Sequence, residues 1–247
     1  MPITSSHNDK LKEIRRLARR RSRDDASRFV AEGEDLVSAA AAAGWDPLVL
    51  LTAAGSGLGG DEVEPALLEA VSGLGSGSRQ IGVYEQRWSA PAGPLCVALW
   101  GVGDPGNVGT ILRSALAFGA ASIVLGPGCA DPFGPKAVRA SMGAIFAVPI
   151  ARVSSLDELP GERVALVAHG GAPLAGGEQS GAHGARGAGA GRAVCLIVGA
   201  ERDGLPASVV AACDRAAHIP IAGESLNAAM AATVALYELT RAVSPDV

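Results

Sequence analysis

The sequence predicts an α/β protein with two domains, the second built on a parallel β-sheet. From Leu95 onward, short apolar segments alternate with helical segments, as they do in successive β-α-β units. A length of 247 residues is enough for two domains of moderate size. Gly and Ala supply much of the apolar content and aromatic residues only 4%, which favours close packing of helices on a sheet.

The first 91 residues have the pattern of a small α/β domain. Turn-forming residues and hydrophobic periodicity delimit its elements, and Pro91 and Pro94 mark its end. The predicted helices cover 8–22, 26–43 and 61–72, and the predicted strands cover 47–52 and 80–84. The domains are therefore predicted to be 1–91 and 92–247.

The second domain has a more regular alternation. Its predicted strands are 95–100, 121–125, 146–150, 163–168, 193–198 and 215–219, and its predicted helices are 107–118, 135–141, 206–212 and 225–242. Residues 170–192 are almost entirely Gly, Ala and polar residues, which cannot offset the entropy of ordering by burial. We expect a disordered loop without function there.

Positive charge is concentrated near the amino terminus. Residues 10–28 contain nine lysines and arginines against three acids, a local charge of +6 in a chain of net charge −4. Such a segment can hold the phosphate backbone of RNA. The candidate RNA-binding residues are Lys10, Lys12, Arg15, Arg16, Arg19, Arg20 and Arg23. A solvated helical face would explain the same charge pattern equally well.

Other classes of protein are disfavoured by composition. No apolar run approaches the roughly 20 residues of a membrane span, so we expect a soluble, cytoplasmic protein without a membrane partner. The four cysteines are widely separated and form no CxxC pair, which predicts reduced, mostly buried thiols and no metal site.

The segment Gly101-Val102-Gly103-Asp104-Pro105-Gly106 matches the dinucleotide-binding pattern GxGxxG. The match is weak, because Pro105 removes one N–H from the turn that would face a pyrophosphate. The acid expected at the end of the following strand is also missing, since Asp131 comes only after a GPG turn. A dinucleotide enzyme remains a minor alternative.

Three loop-helix segments carry a more specific pattern. They are DPGNVGTILRSALAFGA at 104–120, LIVGAERDGLP at 196–206 and IPIAGESLNAAMAATVALYE at 219–238. In this order they resemble the three motifs of the SpoU/TrmH family of RNA 2'-O-ribose methyltransferases, in the SPOUT superfamily. KAVRASMGAIFAVPI at 136–150 is similar to a further family segment, and FVAEGEDLV at 29–37 resembles the substrate-binding extension of many members.

The resemblance implies a fold, a cofactor and an assembly. The fold would be a SPOUT-type parallel sheet with a carboxyl-terminal trefoil knot, preceded by a small α/β substrate-binding domain. The methyl donor would be S-adenosylmethionine, held near Gly199, Glu201, Ile219 and Leu226, without a metal. A homodimer would form on the knot helices, because the helix from Leu226 to Leu236 is apolar on every face.

The same resemblance supplies candidate catalytic residues, which are Asn107, Arg113, Glu201, Ser225 and Asn227. Arg113 lies beside a predicted buried stripe formed by Val108, Ile111, Leu112, Ala115 and Leu116. A guanidinium stays protonated at neutral pH, so we expect Arg113 to stabilise a ribose oxyanion rather than to act as the base. Asn107 and Ser225 are predicted helix N-caps.

The RNA target and the chemistry leave alternatives open. The amino-terminal extension favours ribosomal RNA over transfer RNA as the substrate. A non-catalytic RNA-binding or ribosome-assembly protein with the same fold is the second hypothesis. Two departures from the family pattern affect the expected pocket: Arg202 follows Glu201 where many members have Gly, and only three residues separate Ile221 from Ser225.

Overall fold

The computed structural model describes residues 1–73, 77–174 and 193–241 of the chain. The helices are α1 (Asp9–Leu17), α2 (Arg20–Ala26), α3 (Glu34–Ala42), α4 (Pro65–Glu69), α5 (Pro105–Ala117), α6 (Pro135–Ala140), α7 (Ala144–Ala147), α8 (Ala207–Ala211) and α9 (Ala228–Arg241). The strands are β1 (Arg28–Glu32), β2 (Val49–Ala53), β3 (Asp61–Val63), β4 (Gln80–Glu85), β5 (Leu95–Leu99), β6 (Ser122–Leu125), β7 (Ile150–Arg152), β8 (Glu162–Val167), β9 (Ala172–Pro173), β10 (Val194–Val198) and β11 (Arg215–His218).

Packing divides the chain into two units. The first unit comprises Met1–Arg87 and Asp131–Ala147, and the second comprises Trp88–Ala130 and Val148–Val247. The predicted division at 91/92 differs from these units in two respects, because the first boundary lies at 87/88 and residues 131–147 pack with the first unit. This segment supplies α6 and α7.

The first unit is built on a mixed sheet in the order β1-β4-β2-β3. Strand β4 is antiparallel to β1 and β2, and β3 is parallel to β2. Aromatic rings gather around Phe29 of β1, whose ring centroid lies 4.9 Å from that of Phe133 and 5.8 Å from that of Phe146. The indole N–H of Trp45 donates to the Phe146 carbonyl oxygen over 2.8 Å. These contacts join the inserted segment 131–147 to the core of its unit.

All three predicted helices of the first unit are wrong in part. Residues 8–22 form two helices rather than one, because Arg19 has an extended backbone between α1 and α2. Residues 28–32, predicted to be helical, form β1, because Ser27 ends α2 at φ +52° and Gly33 turns the chain at φ +105° before α3. Residues 61–63 form β3 before the short helix α4. Burial of β1 against β4 outweighs the helical periodicity that the Ala-rich sequence suggests.

The second unit confirms the predicted parallel sheet. Its strands have the order β7-β6-β5-β10-β8-β11-β9, and neighbouring strands in this described part of the chain are paired in parallel. The predicted strand 146–150 is wrong in position, because residues 144–147 are helical and β7 begins at Ile150. Strand β10 lies between β5 and β8 and is apolar throughout, as expected for a strand covered on both faces.

Helices α5 and α9 pack together in the second unit, where the Ser114 and Thr233 hydroxyls lie 2.6 Å apart. The stripe predicted on α5 is buried at four positions, but Leu116 is exposed. Helix α9 is not covered all round either, since the side chains of Met230, Val234 and Tyr237 are exposed in the single chain. We call Leu116, Met230, Val234 and Tyr237 the apolar face.

The predicted loop 170–192 is ordered at its beginning. Ala172–Pro173 form β9 beside β11, and Leu174 is buried. The rest of that prediction, residues 175–192, lies outside the described residues. Among residues that the structure describes, no helix is long and apolar enough to cross a membrane.

The four cysteines are free, two of them buried and two half-buried. Cys96 and Cys195 are register partners on β5 and β10. The Cys195 thiol donates to Cys96, and this hydrogen bond, together with burial, raises the pKa of Cys195. Both effects keep Cys195 protonated in the sheet interior.

Arg23 is predicted to contact RNA, but the structure places it in the interior of the first unit. Its guanidinium is 4% exposed and donates to Asp131 Oδ2 from Nε over 2.9 Å and from Nη2 over 2.6 Å. The remaining nitrogen, Nη1, donates to the carbonyl oxygens of Leu17 and Ala18 at the end of α1. With its donors already used inside the first unit, Arg23 cannot serve a phosphate.

We expect Arg23→Ala to lower the free energy of unfolding by about 3–5 kcal/mol, because it leaves the buried Asp131 carboxylate without its partner. The matched control is Arg20→Ala on the same helix, which removes an exposed pair 3.7 Å from Asp24 and should cost less than about 1 kcal/mol. Urea unfolding of both variants measures the difference. Equal losses would contradict the structural role of Arg23.

Candidate active site

A cleft opens at the carboxyl edge of the parallel sheet, where ligands bind in open α/β folds. Its walls come from the ends of β8 and β10, the segment after β11, and the beginning of α9. The lining residues include Leu166, Val167, Ala168, Val198, Gly199, Ala200, Glu201, Arg202, Gly204, Ile219, Ile221, Ser225, Leu226, Ala228 and Ala231. All four predicted donor-binding residues are in this set, as is Ser225. Sequence reasoning missed the wall contributed by β8.

The loop after β10 is held in a tight turn. Ala200 and Gly204 exchange backbone hydrogen bonds of 3.1 and 3.0 Å, and Gly204 has a φ of +63°. A Cβ on Gly199 would lie 2.4 Å from the carbonyl carbon of Gly204. Gly199 is therefore required by close approach of its own loop, which fixes the backbone that carries Glu201.

Three predicted catalytic side chains form one hydrogen-bonded network. The Asn107 amide donates from Nδ2 to Glu201 Oε1 over 2.5 Å, and the Asn227 amide donates from Nδ2 to Asn107 Oδ1 over 3.1 Å. These side chains belong to three separate motifs. The network therefore joins the beginnings of α5 and α9 to the loop after β10.

Both predicted helix caps are wrong. Asp104 caps α5, since its Oδ1 accepts from the backbone N–H of Gly106 and Asn107, and Pro105 occupies the first helical position. The Asp-Pro pair is itself a helix-start signal that the sequence contained. At α9, the side chain of Asn227 accepts from the N–H of Ala229 and Met230. Ser225 instead lines the cleft.

Arg113 lies outside the network. It is exposed on α5, and no hydrogen bond or salt bridge links its side chain to any described residue. It follows Asn107 by six residues, which places it about 9 Å further along the helix axis. The single chain thus brings together four of the five predicted catalytic residues and leaves Arg113 on the surface near Leu116.

The glycine-rich turn at 101–106 does not line the cleft. Its backbone is joined to the neighbouring turn by hydrogen bonds from Gly101 N to Pro127 O and from Ala130 N to Val102 O. The Cys129 thiol donates to Leu99 O over 3.1 Å, and burial raises its pKa. These interactions make the turn a structural support for the start of α5.

Within the described ranges, no three His, Cys, Asp or Glu side chains lie close enough to hold a metal ion. The cleft offers two carboxylate or hydroxyl side chains, Glu201 and Ser225, among mostly apolar neighbours. Hard cations prefer several oxygen ligands around one point, which this lining does not supply.

The predicted RNA-binding residues in the first unit differ in their surroundings. Lys10 pairs with Asp61, Lys12 with Asp9 and Arg20 with Asp24. Arg15 donates to Ser6 O over 2.9 Å, and Arg16 and Arg19 are exposed. Except for the buried Arg23, these cations are all exposed or half-exposed on α1 and α2 and the short connection between them.

Comparison with known families agrees with the motifs. The model of the SpoU rRNA methylase family matches residues 94–237, which is more than half of the chain. The model of the MRM3-like substrate-binding domain matches residues 8–81.

Curated relatives include methyltransferases named for 23S rRNA. Over 146 residues the chain is 37% identical to the 23S rRNA (guanosine(2553)-2'-O)-methyltransferase of Bacillus subtilis, covering 56% of this chain and 54% of the relative. It is 39% identical to the 23S rRNA (uridine(2479)-2'-O)-methyltransferase of Streptomyces viridochromogenes, covering 56% of this chain and 49% of the relative. The matched region therefore spans about half the length of these relatives.

Solved structures match almost the whole chain. An AdoMet-bound rRNA methyltransferase from Sinorhizobium meliloti has a TM-score of 0.83 and 32% identity, covering 99% of this chain and 98% of the other. The SpoU methyltransferase AviRb from Streptomyces viridochromogenes, also in complex with AdoMet, has a TM-score of 0.80 and 28% identity, covering 95% and 98%. With the family model matching more than half of its length, the chain belongs to the SpoU rRNA methylase family.

Proposed function

We propose that this protein transfers a methyl group from S-adenosylmethionine to a ribose 2'-hydroxyl of RNA, and that the RNA is ribosomal. The observation that carries the proposal is the network of Asn107, Glu201 and Asn227 beside the cleft at the carboxyl edge of the sheet. It joins all three motifs at one place. A protein that only scaffolds RNA would have no need of such an arrangement.

The cleft fits the methyl donor in its chemistry. Leu166, Val198, Ile219 and Leu226 provide apolar walls for an adenosyl group, and Glu201 and Ser225 provide polar side chains at its margin. Two matched structures are described as bound to AdoMet. When bound, S-adenosylmethionine supplies an electrophilic methyl group on a sulfonium sulfur.

The chain's own residues hold and polarise the reacting groups. Asn107, oriented by the amide of Asn227, donates to one carboxylate oxygen of Glu201, and the other oxygen is left for the RNA side of the cleft. As the ribose oxygen takes the methyl group, the bond between that carbon and the donor's sulfur breaks with its electron pair left on sulfur, and the hydroxyl proton passes to water. Arg113 stabilises the negative charge that develops on that oxygen, because a protonated guanidinium is a strong donor to an oxyanion.

Ribosomal RNA is favoured over transfer RNA as the substrate by two similarities. The first unit matches an MRM3-like substrate-binding domain, and the named relatives above act on 23S rRNA. Ribose-methylation mapping of ribosomal and transfer RNA from a deletion strain tests the choice, since one ribosomal position should lose its methyl group. A cytoplasmic location is part of the same proposal, since the named relatives are bacterial proteins named for ribosomal RNA.

Phosphate binding is assigned to the exposed cations of α1 and α2. Arg15, Arg16 and Arg19 lie at or near the end of α1, and Arg20 begins α2. Surface ion pairs such as Lys12 with Asp9 are weak, so these cations remain available to RNA. They contribute affinity rather than choice of nucleotide, because contacts to phosphate carry no sequence information.

A homodimer is the second part of the proposal. Met230, Val234 and Tyr237 follow one another at spacings of four and three residues, which places them on one side of α9. Leu116 extends this apolar face onto α5, where it follows Arg113 by one helical turn. A second copy covering the apolar face would therefore lie beside Arg113, the catalytic candidate that the single chain leaves outside the network.

The trefoil knot is a further structural proposal. Strand β10 follows β8 in the chain but lies between β8 and β5 in the sheet. The cleft walls come from the ends of β8 and β10 and from the segment after β11. A knotted path through 193–241 would hold these three segments together.

We expect Arg113→Ala to reduce methyl transfer by at least about 100-fold, because it removes oxyanion stabilisation, while donor affinity stays within about twofold. Arg113→Lys should also lose most activity, since an ammonium lacks the planar fork. Thr110→Ala, one turn earlier on α5, serves as the matched control and should retain activity. Transfer of labelled methyl to unmodified ribosomal RNA, with calorimetric donor titration, measures both quantities. Near-normal turnover by Arg113→Ala would refute the assignment.

Gly199→Ala should weaken donor binding more than Gly204→Ala does. The new Cβ at Gly199 meets the Gly204 backbone at 2.4 Å and must displace the loop, whereas a Cβ at Gly204 meets nothing within 4 Å. Gly204→Ala costs only the strain of an alanine in the left-handed backbone conformation, about 1–2 kcal/mol. Calorimetric titration with S-adenosylmethionine compares the two. If the variants bind the donor equally well, the loop does not shape the donor site.

Light scattering should give the full-length protein a mass near twice 24.7 kDa. Val234→Glu should convert it to a monomer and reduce methyl transfer, because a charge at the centre of the apolar face would be buried without a partner. Leu48→Glu changes an equally exposed apolar residue in the first unit and should leave the mass unchanged. A wild-type monomer would overturn the dimer.

A further inference from the structure

An indole and a guanidinium form an exposed stack beside β7, the outermost strand of the parallel sheet. The Arg152 guanidinium carbon lies 4.2 Å from the ring centroid of Trp88, and the indole is still 37% exposed. Arg152 is exposed as well. Trp88 is held beside β7 because the next residue, Ser89, forms a β-bridge with Ala151 of that strand. An exposed tryptophan that carries an arginine on one face presents a flat cationic surface to solvent.

The register of the sheet relates this stack to the cleft. Arg152 on β7 pairs with Leu125 on β6, Leu125 pairs with Leu99 on β5, and Leu99 pairs with Val198 on β10. Val198 is followed directly by Gly199 and the donor-binding loop. Arg152 therefore lies at the same carboxyl edge as the cleft, three strand spacings or about 14 Å away. That distance corresponds to about four stacked nucleotides.

Charge at the two edges of this sheet is arranged differently. Near the amino ends of their strands, Arg163 pairs with Asp214 and Arg215 pairs with Glu162. At the carboxyl edge, Arg152 and Arg202 form no salt bridge with any residue in the described part of the chain. These two guanidinium groups lie at the edge that carries the cleft, where each can donate to a phosphate even though Glu201 and Asp203 lie at the same edge.

We propose that Trp88 and Arg152 bind an unpaired nucleotide of the RNA substrate, a few positions from the ribose that is methylated. The inference rests on the proposed function and extends it to a second RNA contact in the catalytic unit. A base can stack on the exposed guanidinium plane or on the indole, and the guanidinium edge can donate to the adjacent phosphate. Stacking needs an unpaired base, so this surface selects single-stranded segments.

The test compares binding of two fluorescein-labelled probes by the full-length protein: a single-stranded RNA of about 20 nucleotides and the duplex of the same sequence. Trp88→Leu and Arg152→Gln should each weaken single-strand binding about tenfold, the range given by loss of one stacked base. Duplex affinity should change less than about twofold. Arg16→Gln, which removes an exposed guanidinium without an aromatic neighbour, should weaken both probes by the same small factor.

Trp88→Phe keeps an aromatic ring and should retain most of the single-strand affinity, while the quenching of tryptophan emission by RNA should decrease. If Trp88→Leu loses donor binding, the variant is not properly folded. Trp88→Phe and Arg152→Gln then test the inference in its place. Unchanged single-strand affinity, or equal losses on both probes, would overturn the inference. Methyl transfer by the wild-type protein is measured separately, so the proposed function stands if only the stacking surface fails.

Discussion

Strand β10 is the constraint on which the catalytic unit depends. Its five residues pair in register with β5 on one side and β8 on the other, and they are apolar throughout. Because all three strands run parallel, the loops that follow them emerge at one edge. The loop after β10 therefore meets the helix that follows β5, and Glu201 reaches Asn107 although 94 residues separate them.

The position of Glu201 is fixed from both sides of its loop. Gly199 and Gly204 allow the loop to fold back on itself, and Asn107, which itself accepts from Asn227, donates to the carboxylate. The two asparagines are themselves in fixed places, one within the first turn capped by Asp104 and the other capping α9. A preorganised carboxylate of this kind loses little entropy when substrate binds.

The parallel sheet, and several of the residues that line the cleft, could be predicted from the sequence. Buried strands and loop motifs leave strong local patterns in the sequence. What could not be predicted depends on distant partners. Residues 28–32 read as a helix until β4 is available to pair with them, and Arg23 reads as an RNA contact until Asp131 is brought beside it. Ser and Asn are nearly equivalent N-caps, so the sequence alone cannot choose between Ser225 and Asn227 as the cap of α9.

Net charge is a poor guide to the partner of this chain, because its charges are unequally neutralised. Exposed cations lie along α1 and α2 of the first unit. In the described part of the second unit, arginines pair with acids at the amino edge of the sheet, whereas Arg152 and Arg202 form no salt bridge at the carboxyl edge. A polyanion responds to the charges within a Debye length of about 8–10 Å rather than to the net charge of −4 on the whole chain. A local guanidinium such as that of Arg152 can therefore hold a phosphate although the chain as a whole is acidic.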